Sequence, residues 1–258
     1  MGLRTLLLAG ALACVATSTL ADDPSFAPGR PGSTETAISV PKGKLQIETE
    51  IAHFTRNDAA GVDTRAWSAG STSFRFGVAH GVDAEVIVAP YRRSRVADSS
   101  GVAAAEGFGD VTVRARRTFA GQDGDPSLAV IGYVTAPTAA DGLGANDVEG
   151  GLIVTGAFDL NPRFNLAWTA GVGAVSADDG GYDTATSGAL TLNVSLAERW
   201  DGYVEIGGGH DGGDDSGFYG AGMTLLLARA TQLDAGVDLG ASGGADDLNV
   251  IAGWAHRF

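Results

Sequence analysis

Charged side chains recur at every second residue in several parts of the chain. They are Glu48, Glu50, Arg75, Arg93, Arg95, Arg114, Arg116, Asp234 and Asp238. Residues two apart on a β-strand lie on the same face, so each group would project from one side of its strand. Opposed stripes of positive and negative side chains can orient and filter polar solutes, whereas a fully paired set would only stabilise the structure. The spacing therefore predicts that these residues line a charged interior of the folded protein.

The histidines do not form a catalytic pattern. None of His53, His80, His210 and His256 is spaced with a serine and a carboxylate as a nucleophilic triad requires. The sequence also has no H-x-x-x-H or CxxC motif and no glycine-rich phosphate loop. We therefore predict no enzymatic activity, no cofactor and no metal site, and a hydrolase is the least supported alternative.

A second group of carboxylates occurs in glycine-rich stretches. It comprises Asp178, Asp179, Asp211, Asp214, Asp215, Asp246 and Asp247. Carboxylates and loop carbonyls suit calcium, which could bridge such loops to the phosphates of lipopolysaccharide. Because the Asp-x-Asp-x-Asp-Gly spacing is missing, solvated acidic loops are the favoured interpretation.

The first 21 residues have the layout of a cleavable signal peptide. A positive residue, an apolar core and small residues before a cleavage point follow in order, so we expect cleavage after Ala21 and export through the inner membrane. Cys14, the single cysteine, would leave with this peptide, and the mature chain would then form no disulfide. A lipidated Cys14 is the disfavoured alternative, since Ala11 stands where a branched apolar residue is needed.

Apolar and polar residues alternate through the rest of the chain. No stretch after the signal peptide approaches the eighteen or so consecutive apolar residues that a membrane helix requires. Residues 190–196 instead place leucine or valine at every second position, with threonine, asparagine and serine between them. A strand with lipid on one side and a polar lumen on the other must alternate in this way. The net charge of −14 argues against a nucleic-acid partner.

The same alternation predicts about twelve strands and therefore an all-β fold, a single transmembrane antiparallel up-and-down β-barrel. The strands are expected near residues 44–56, 64–80, 84–97, 107–119, 126–136, 147–160, 164–176, 185–198, 202–209, 217–228, 231–241 and 247–258. Tight turns alternate with longer Gly/Asp-rich connections, as periplasmic turns and external loops do. We expect a barrel over 44–258 and a non-barrel segment over 22–43 in the lumen or at the periplasmic mouth. A soluble β-sandwich or lipocalin-like barrel stays open, because periodicity does not say which face is inward.

Several short motifs resemble one outer-membrane family. They are Arg30-Pro31-Gly32, the run from Val40 to Glu48, Gly107-Phe108-Gly109-Asp110, the stretch from Tyr133 to Thr138, and the last strand ending in Phe258. They are similar to the outer-membrane β-barrel transporter family named for the MetA pathway of phenol degradation.

The resemblance implies a barrel in the bacterial outer membrane, in contact with its lipid and lipopolysaccharide, that passes small aromatic or other hydrophobic solutes. It implies that Phe258 is an assembly signal read by the barrel-assembly machinery. The remaining alternative is a non-conducting structural or adhesive barrel.

Overall fold

The computed structural model describes residues 26–122, 124–177 and 180–258, so the predicted signal peptide lies outside the described residues. The strands in these ranges are β1 (Leu45–Ala59), β2 (Val62–Ala69), β3 (Ser71–Ala79), β4 (Val82–Val88), β5 (Tyr91–Asp98), β6 (Gly101–Gly107), β7 (Val111–Ala120), β8 (Ser127–Ala136), β9 (Glu149–Asn161), β10 (Phe164–Ser176), β11 (Tyr182–Ala197), β12 (Trp200–Asp211), β13 (Asp214–Ala228), β14 (Thr231–Gly240) and β15 (Leu248–Arg257). No helix in these ranges is long and apolar enough to cross a membrane.

The strands form one closed antiparallel barrel. From β7 to β15 each strand pairs with the next one along the chain, while β1 pairs with both β2 and β3, and the sheet continues from them as β3–β4–β7 and β2–β5–β6. Strand β15 pairs with β1 over ten residue pairs and closes the barrel. Short breaks divide three long strands, so that β2 with β3, β4 with β5 and β6 with β7 each cross the barrel once. The described chain therefore makes the predicted twelve crossings, and the all-β barrel prediction is confirmed.

The interior of the barrel is polar and its outer surface is apolar. On β12 the side chain of Glu205 is 4% exposed, whereas its neighbours Val204 and Ile206 are 53% and 60% exposed. The large buried side chains include Arg75, Arg116 and Gln46. A soluble barrel would bury the apolar face instead, so the burial pattern is that of a barrel whose outer face contacts lipid.

The two ends of the barrel differ in their connections. The short-turn end carries both ends of the barrel chain and the turns at residues 80–81, 121–126, 162–163, 198–199 and 229–230. The long-loop end carries the connections at residues 60–61, 99–100, 137–148, 177–181, 212–213 and 241–247.

Three of the connections predicted to be long external loops are tight hairpins. The strands extend further than predicted, and Asp98 pairs with Gly101 where a loop over residues 98–106 was expected. The fourth crossing therefore begins at Gly101 rather than near residue 107. Strand ends that reach beyond lipid have water on both faces, so their residues need not alternate and periodicity does not detect them.

A line of backbone irregularities crosses the first four barrel crossings at adjacent register positions. It consists of a bulge at Ile51, Gly70 with a φ of 73°, the pair Ala89–Pro90, and the stretch Phe108–Asp110. Hydrogen bonds from the Gly70 N–H to the Glu50 carbonyl (2.9 Å) and from Gly109 to Ala89 (2.8 Å) connect it across the strands. An inserted residue exchanges the two faces of a strand, so inward positions change parity at this line.

Candidate functional site

Residues 26–43, which we call the lumenal segment, lie inside the barrel on its short-turn side. Ala37, Ser39 and Val40 are at most 3% exposed. The segment contacts strands around the whole circumference through hydrogen bonds: Gly29 N–H to Glu48 (2.9 Å), Ser33 N–H to Glu205 (2.9 Å), Thr34 hydroxyl to Thr191 (3.1 Å), Glu35 N–H to Thr169 (2.9 Å) and Val40 N–H to Asp83 (2.8 Å). It therefore spans the lumen from wall to wall.

The polar wall explains why a segment without strand structure can be buried. Its backbone groups have no ladder to join, and a buried N–H or carbonyl without a partner costs free energy. Gln122 meets this need on both sides of Ser39, accepting its N–H (3.0 Å) and donating to its carbonyl (2.7 Å). The Thr118 hydroxyl donates to the Ala37 carbonyl at 2.7 Å. Inward polar side chains thus replace the missing backbone partners.

Arg75 on β3 joins the wall to the lumenal segment. Its guanidinium, 1% exposed, donates to Glu48 at 3.0 Å and to Asp83 at 2.9 Å. It also donates to the Ile38 carbonyl at 2.9 Å. A charge as buried as this is tolerated only when it is paired and hydrogen-bonded, as it is here.

Glu35 is the ion-pair centre of the lumenal segment. Its carboxylate accepts from Arg114 and, at 3.3 Å, from Arg116. Arg114 also lies 3.5 Å from Glu85, and Arg116 lies 3.6 Å from Asp83. The carboxylate of the segment therefore neutralises two wall arginines that point at the same part of the lumen.

Arg30 makes the corresponding contact on the opposite wall. Its guanidinium lies 3.1 Å from Asp234 on β14 and 3.9 Å from Glu50 on β1. The adjoining carboxylates have only neutral polar partners: Glu205 accepts from Ser33 and Thr191, and Asp238 from Asn249. This wall therefore carries negative charge that the neighbouring hydrogen bonds do not neutralise.

Cavities lie on both sides of the ion pairs that join the lumenal segment to the wall. A cavity of about 700 Å³ opens at the short-turn end and is lined by residues 27–38 with the turn residues. A second cavity of about 720 Å³ lies at the long-loop end, lined among others by His53, Arg92 and Asp246. Between them a space of about 160 Å³ is lined by charged groups including Glu35 and Arg75. Burial raises the pKa of Asp246, which lies in the loop between β14 and β15.

Seven of the predicted lining residues face the lumen. They are Glu48, Glu50, Arg75, Arg114, Arg116, Asp234 and Asp238. Their role in lining a conducting pore stays a prediction.

For Arg93 and Arg95 the predicted lumenal position is wrong. Arg93 pairs directly with Trp67, whose side chain is 51% exposed on the outer surface, and Arg95 pairs with Arg65. Directly paired residues share a face, so both arginines point outward. The inserted residue at Pro90 turns the neighbouring Arg92 inward instead.

Sequence analysis did not identify several lumenal charges. Asp83 and Glu85 alternate with the outward Ala84 and Val86, a pattern that could have found them, but they adjoin a turn. Glu205 lies between outward Val204 and Ile206 and carries the same signal. Arg30 and Glu35 belong to a segment without periodicity, so no pattern could place them. The predicted carboxylates at 178 and 179 lie outside the described residues.

Comparison with known proteins gives one family and several similar folds. A family model described as "Putative MetA-pathway of phenol degradation" matches residues 28–258. Among solved structures, an outer membrane channel from Pseudomonas putida F1 aligns with a TM-score of 0.68 at 13% identity, over 89% of this chain and 99% of that one.

Two autotransporter domains are also similar. The translocator domain of NalP from Neisseria meningitidis aligns with a TM-score of 0.53 at 13% identity, over 84% of this chain and 89% of that one. The β domain of Bordetella BrkA gives 0.52 at 18% identity, over 84% and 100%. At such identities these likenesses show the fold alone. No curated protein matches the chain.

Proposed function

The chain belongs to the phenol-degradation MetA-pathway family, and from this premise we propose that it is an outer-membrane channel for the passive passage of small molecules. The observation that carries the proposal is the lumen itself, with a polar wall and a cavity of 700 Å³ or more at each end. Strands with an apolar outer face suit a barrel in lipid. The similar Pseudomonas putida protein is itself named an outer membrane channel.

Small aromatic or other hydrophobic compounds are the proposed solutes. A further cavity of about 400 Å³ on the long-loop side is lined by Tyr133, Ile153 and Phe218. The glycine at 207 makes room for the Phe218 ring, since an added Cβ would come within 2.5 Å of it. Aromatic and aliphatic side chains beside polar groups are typical of sites for small organic ligands.

Conductance tests the proposal directly. The purified mature protein in planar bilayers should give discrete current steps above the lipid background, and vesicles containing it should take up a small phenolic solute faster than empty vesicles. Current and uptake equal to those of the lipid alone would overturn the channel. They would favour a structural or adhesive barrel, although the tight hairpins of the long-loop end offer little surface for adhesion.

The lumenal carboxylates that have no positively charged partner among the described residues should make the channel selective for cations. Glu205 and Asp238 lie in the lumen with neutral partners, so cations should pass more readily than anions. We expect a cation-selective reversal potential under a salt gradient and a smaller one in the double variant Glu205→Gln, Asp238→Asn. The matched change Glu198→Gln, in an exposed turn, should leave the reversal potential unchanged.

Export and assembly complete the proposal. The signal peptide directs the chain through the inner membrane, and Phe258 is recognised by the barrel-assembly machinery. The Phe258 N–H donates to the Leu45 carbonyl at 2.8 Å, and its ring packs edge-on against His256 at 4.4 Å. The terminal residue thus lies at the β15–β1 closure, where the first and last strands must meet during assembly.

A further inference from the structure

The outward position of Arg95 creates a basic surface on the outside of the barrel. Arg56 on β1, Arg65 on β2 and Arg95 on β5 are direct cross-strand partners, and we call these three residues the arginine row. Their side chains are 44%, 46% and 39% exposed. Arg93, which lies two residues before Arg95 on the same face of β5, is 52% exposed and adds a fourth cation.

The other basic residues of the described chain lie elsewhere. Those in the lumen are Arg30, Arg75, Arg92, Arg114 and Arg116. Those at the short-turn end are Lys42, Lys44, Arg117, Arg163, Arg199, Arg229 and Arg257. The outward cations of the long-loop half are therefore gathered on three adjacent strands, in a chain whose net charge is −14.

The contacts within the protein leave this surface incompletely satisfied. Like charges directly opposite each other on a sheet are destabilising. Asp63 is shared among all three guanidiniums, at 2.8 Å from Arg65, 3.5 Å from Arg56 and 3.6 Å from Arg95. Asp58 lies 3.2 Å from Arg56 and Glu106 lies 3.7 Å from Arg93, so four guanidiniums face three carboxylates. Each guanidinium carries five N–H donors, so most of these donors remain available to another acceptor.

The height of the row on the barrel limits what that acceptor can be. Two residues before Arg56 on β1, Phe54 packs on Trp67 with ring centroids 4.5 Å apart. Such outward aromatics mark the boundary between hydrocarbon and headgroups. Two residues further along a strand is roughly 6 to 7 Å. The arginine row therefore lies at the level of the headgroups in the outer leaflet.

We propose that the arginine row binds the phosphate groups of a phosphorylated glycolipid in the outer leaflet, the lipid A part of lipopolysaccharide. Guanidinium groups bind phosphate oxygens with two parallel hydrogen bonds, and adjacent strands about 4.8 Å apart present several such groups to one headgroup. The site anchors an otherwise acidic barrel in a leaflet of anionic lipids. This inference rests on the proposed outer-membrane location but not on conduction.

Lipid binding by the folded barrel tests the site. The variant R56Q/R65Q/R95Q is compared with R163Q/R199Q/R229Q, which removes three exposed arginines at the short-turn end. Each purified barrel, in a detergent without charge, is titrated with lipid A, with lipid A stripped of its phosphates, and with inorganic phosphate. Lipid adducts are counted by native mass spectrometry. A conductance measurement on the same preparations reports separately on the proposed channel.

We expect the arginine-row variant to lose affinity for lipid A about tenfold to a hundredfold, while the control variant binds as the parent does. Equal binding by dephosphorylated lipid A, or an equal loss in the control, would overturn the proposal. Inorganic phosphate that occupies the site as tightly would assign the row to free phosphate instead. Should the triple variant fail to fold, R65K decides: it keeps the charge but loses the forked geometry, and unchanged lipid A binding would count against the site.

Discussion

Replacing Glu35 with glutamine should loosen the lumenal segment from the wall. Glutamine keeps the shape and one acceptor but removes the carboxylate that Arg114 and Arg116 share, whose side chains are 11% and 1% exposed. Glu85 at 3.5 Å from Arg114 and Asp83 at 3.6 Å from Arg116 remain as their partners. Removing one partner of a buried ion pair costs about 3 to 5 kcal/mol when the other charge is left uncompensated, and the remaining carboxylates limit the cost here to the lower end of that range at most. The arrangement with the segment inside the lumen bears this cost, and movement of the segment out of the lumen relieves part of it.

The size of the effect follows from the lower end of that range. About 3 kcal/mol corresponds to roughly a hundredfold change in an equilibrium constant, so the fraction of molecules whose segment has left the lumen, and whose pore is therefore wider, should rise by up to that factor. Single-channel recording in planar bilayers measures this fraction as the frequency and duration of large openings. Glu198→Gln, in the exposed turn after β11, serves as the matched control. Unchanged openings together with a lower thermal unfolding temperature would refute the reasoning, because the barrel wall rather than the segment would then carry the cost.

Two further substitutions test the packing of the segment and the sidedness of the barrel. Gly77→Ala should destabilise the protein by about 1 to 3 kcal/mol and lower its thermal unfolding temperature, because a Cβ there would lie 1.9 Å from the Pro41 carbonyl oxygen. The control Gly188→Ala, whose Cβ would have no atom nearer than 3.6 Å, should unfold at the same temperature as the parent. Val204→Arg places a charge on the lipid face at a cost of about 2 to 4 kcal/mol and should lower the yield of barrel folded into vesicles, measured by gel mobility without heating. Asp214→Arg, in an exposed hairpin, should fold with the yield of the parent, and equal losses in both would contradict a lipid-facing surface.

Contact with lipid is the reason why most strands of this fold could be predicted from the sequence. Strand β10 was predicted over residues 164–176 and spans Phe164–Ser176, and β14 was predicted over 231–241 and spans Thr231–Gly240. Within the membrane one face must be apolar, so a period of two is enforced there. Strand β6 was not predicted, because the requirement for an apolar face no longer applies beyond the lipid. At Gly101 only hydrogen bonding to β5 defines the strand, and hydrogen bonding leaves no hydropathy pattern.

The candidate site could be predicted only where the alternation is unbroken. Arg75, Arg114 and Arg116 lie on regular stretches and were placed correctly in the lumen. Arg95 follows the break at Pro90, where one inserted residue moves it to the outer face. The contribution of Glu35 arises from long-range contacts with β7 and β10 that a local pattern does not encode.

The line of irregularities from Ile51 to Asp110 also affects how variation in this protein should be read. A saturation mutagenesis profile along the third crossing should tolerate apolar substitutions at even-numbered positions before Pro90 and at odd-numbered positions after it. A recombined barrel joined on either side of this line must inherit the inserted residues with the strands that carry them. Without the inserted residues, the transplanted half would point its charged side chains towards the lipid tails and its apolar side chains towards the water-filled interior.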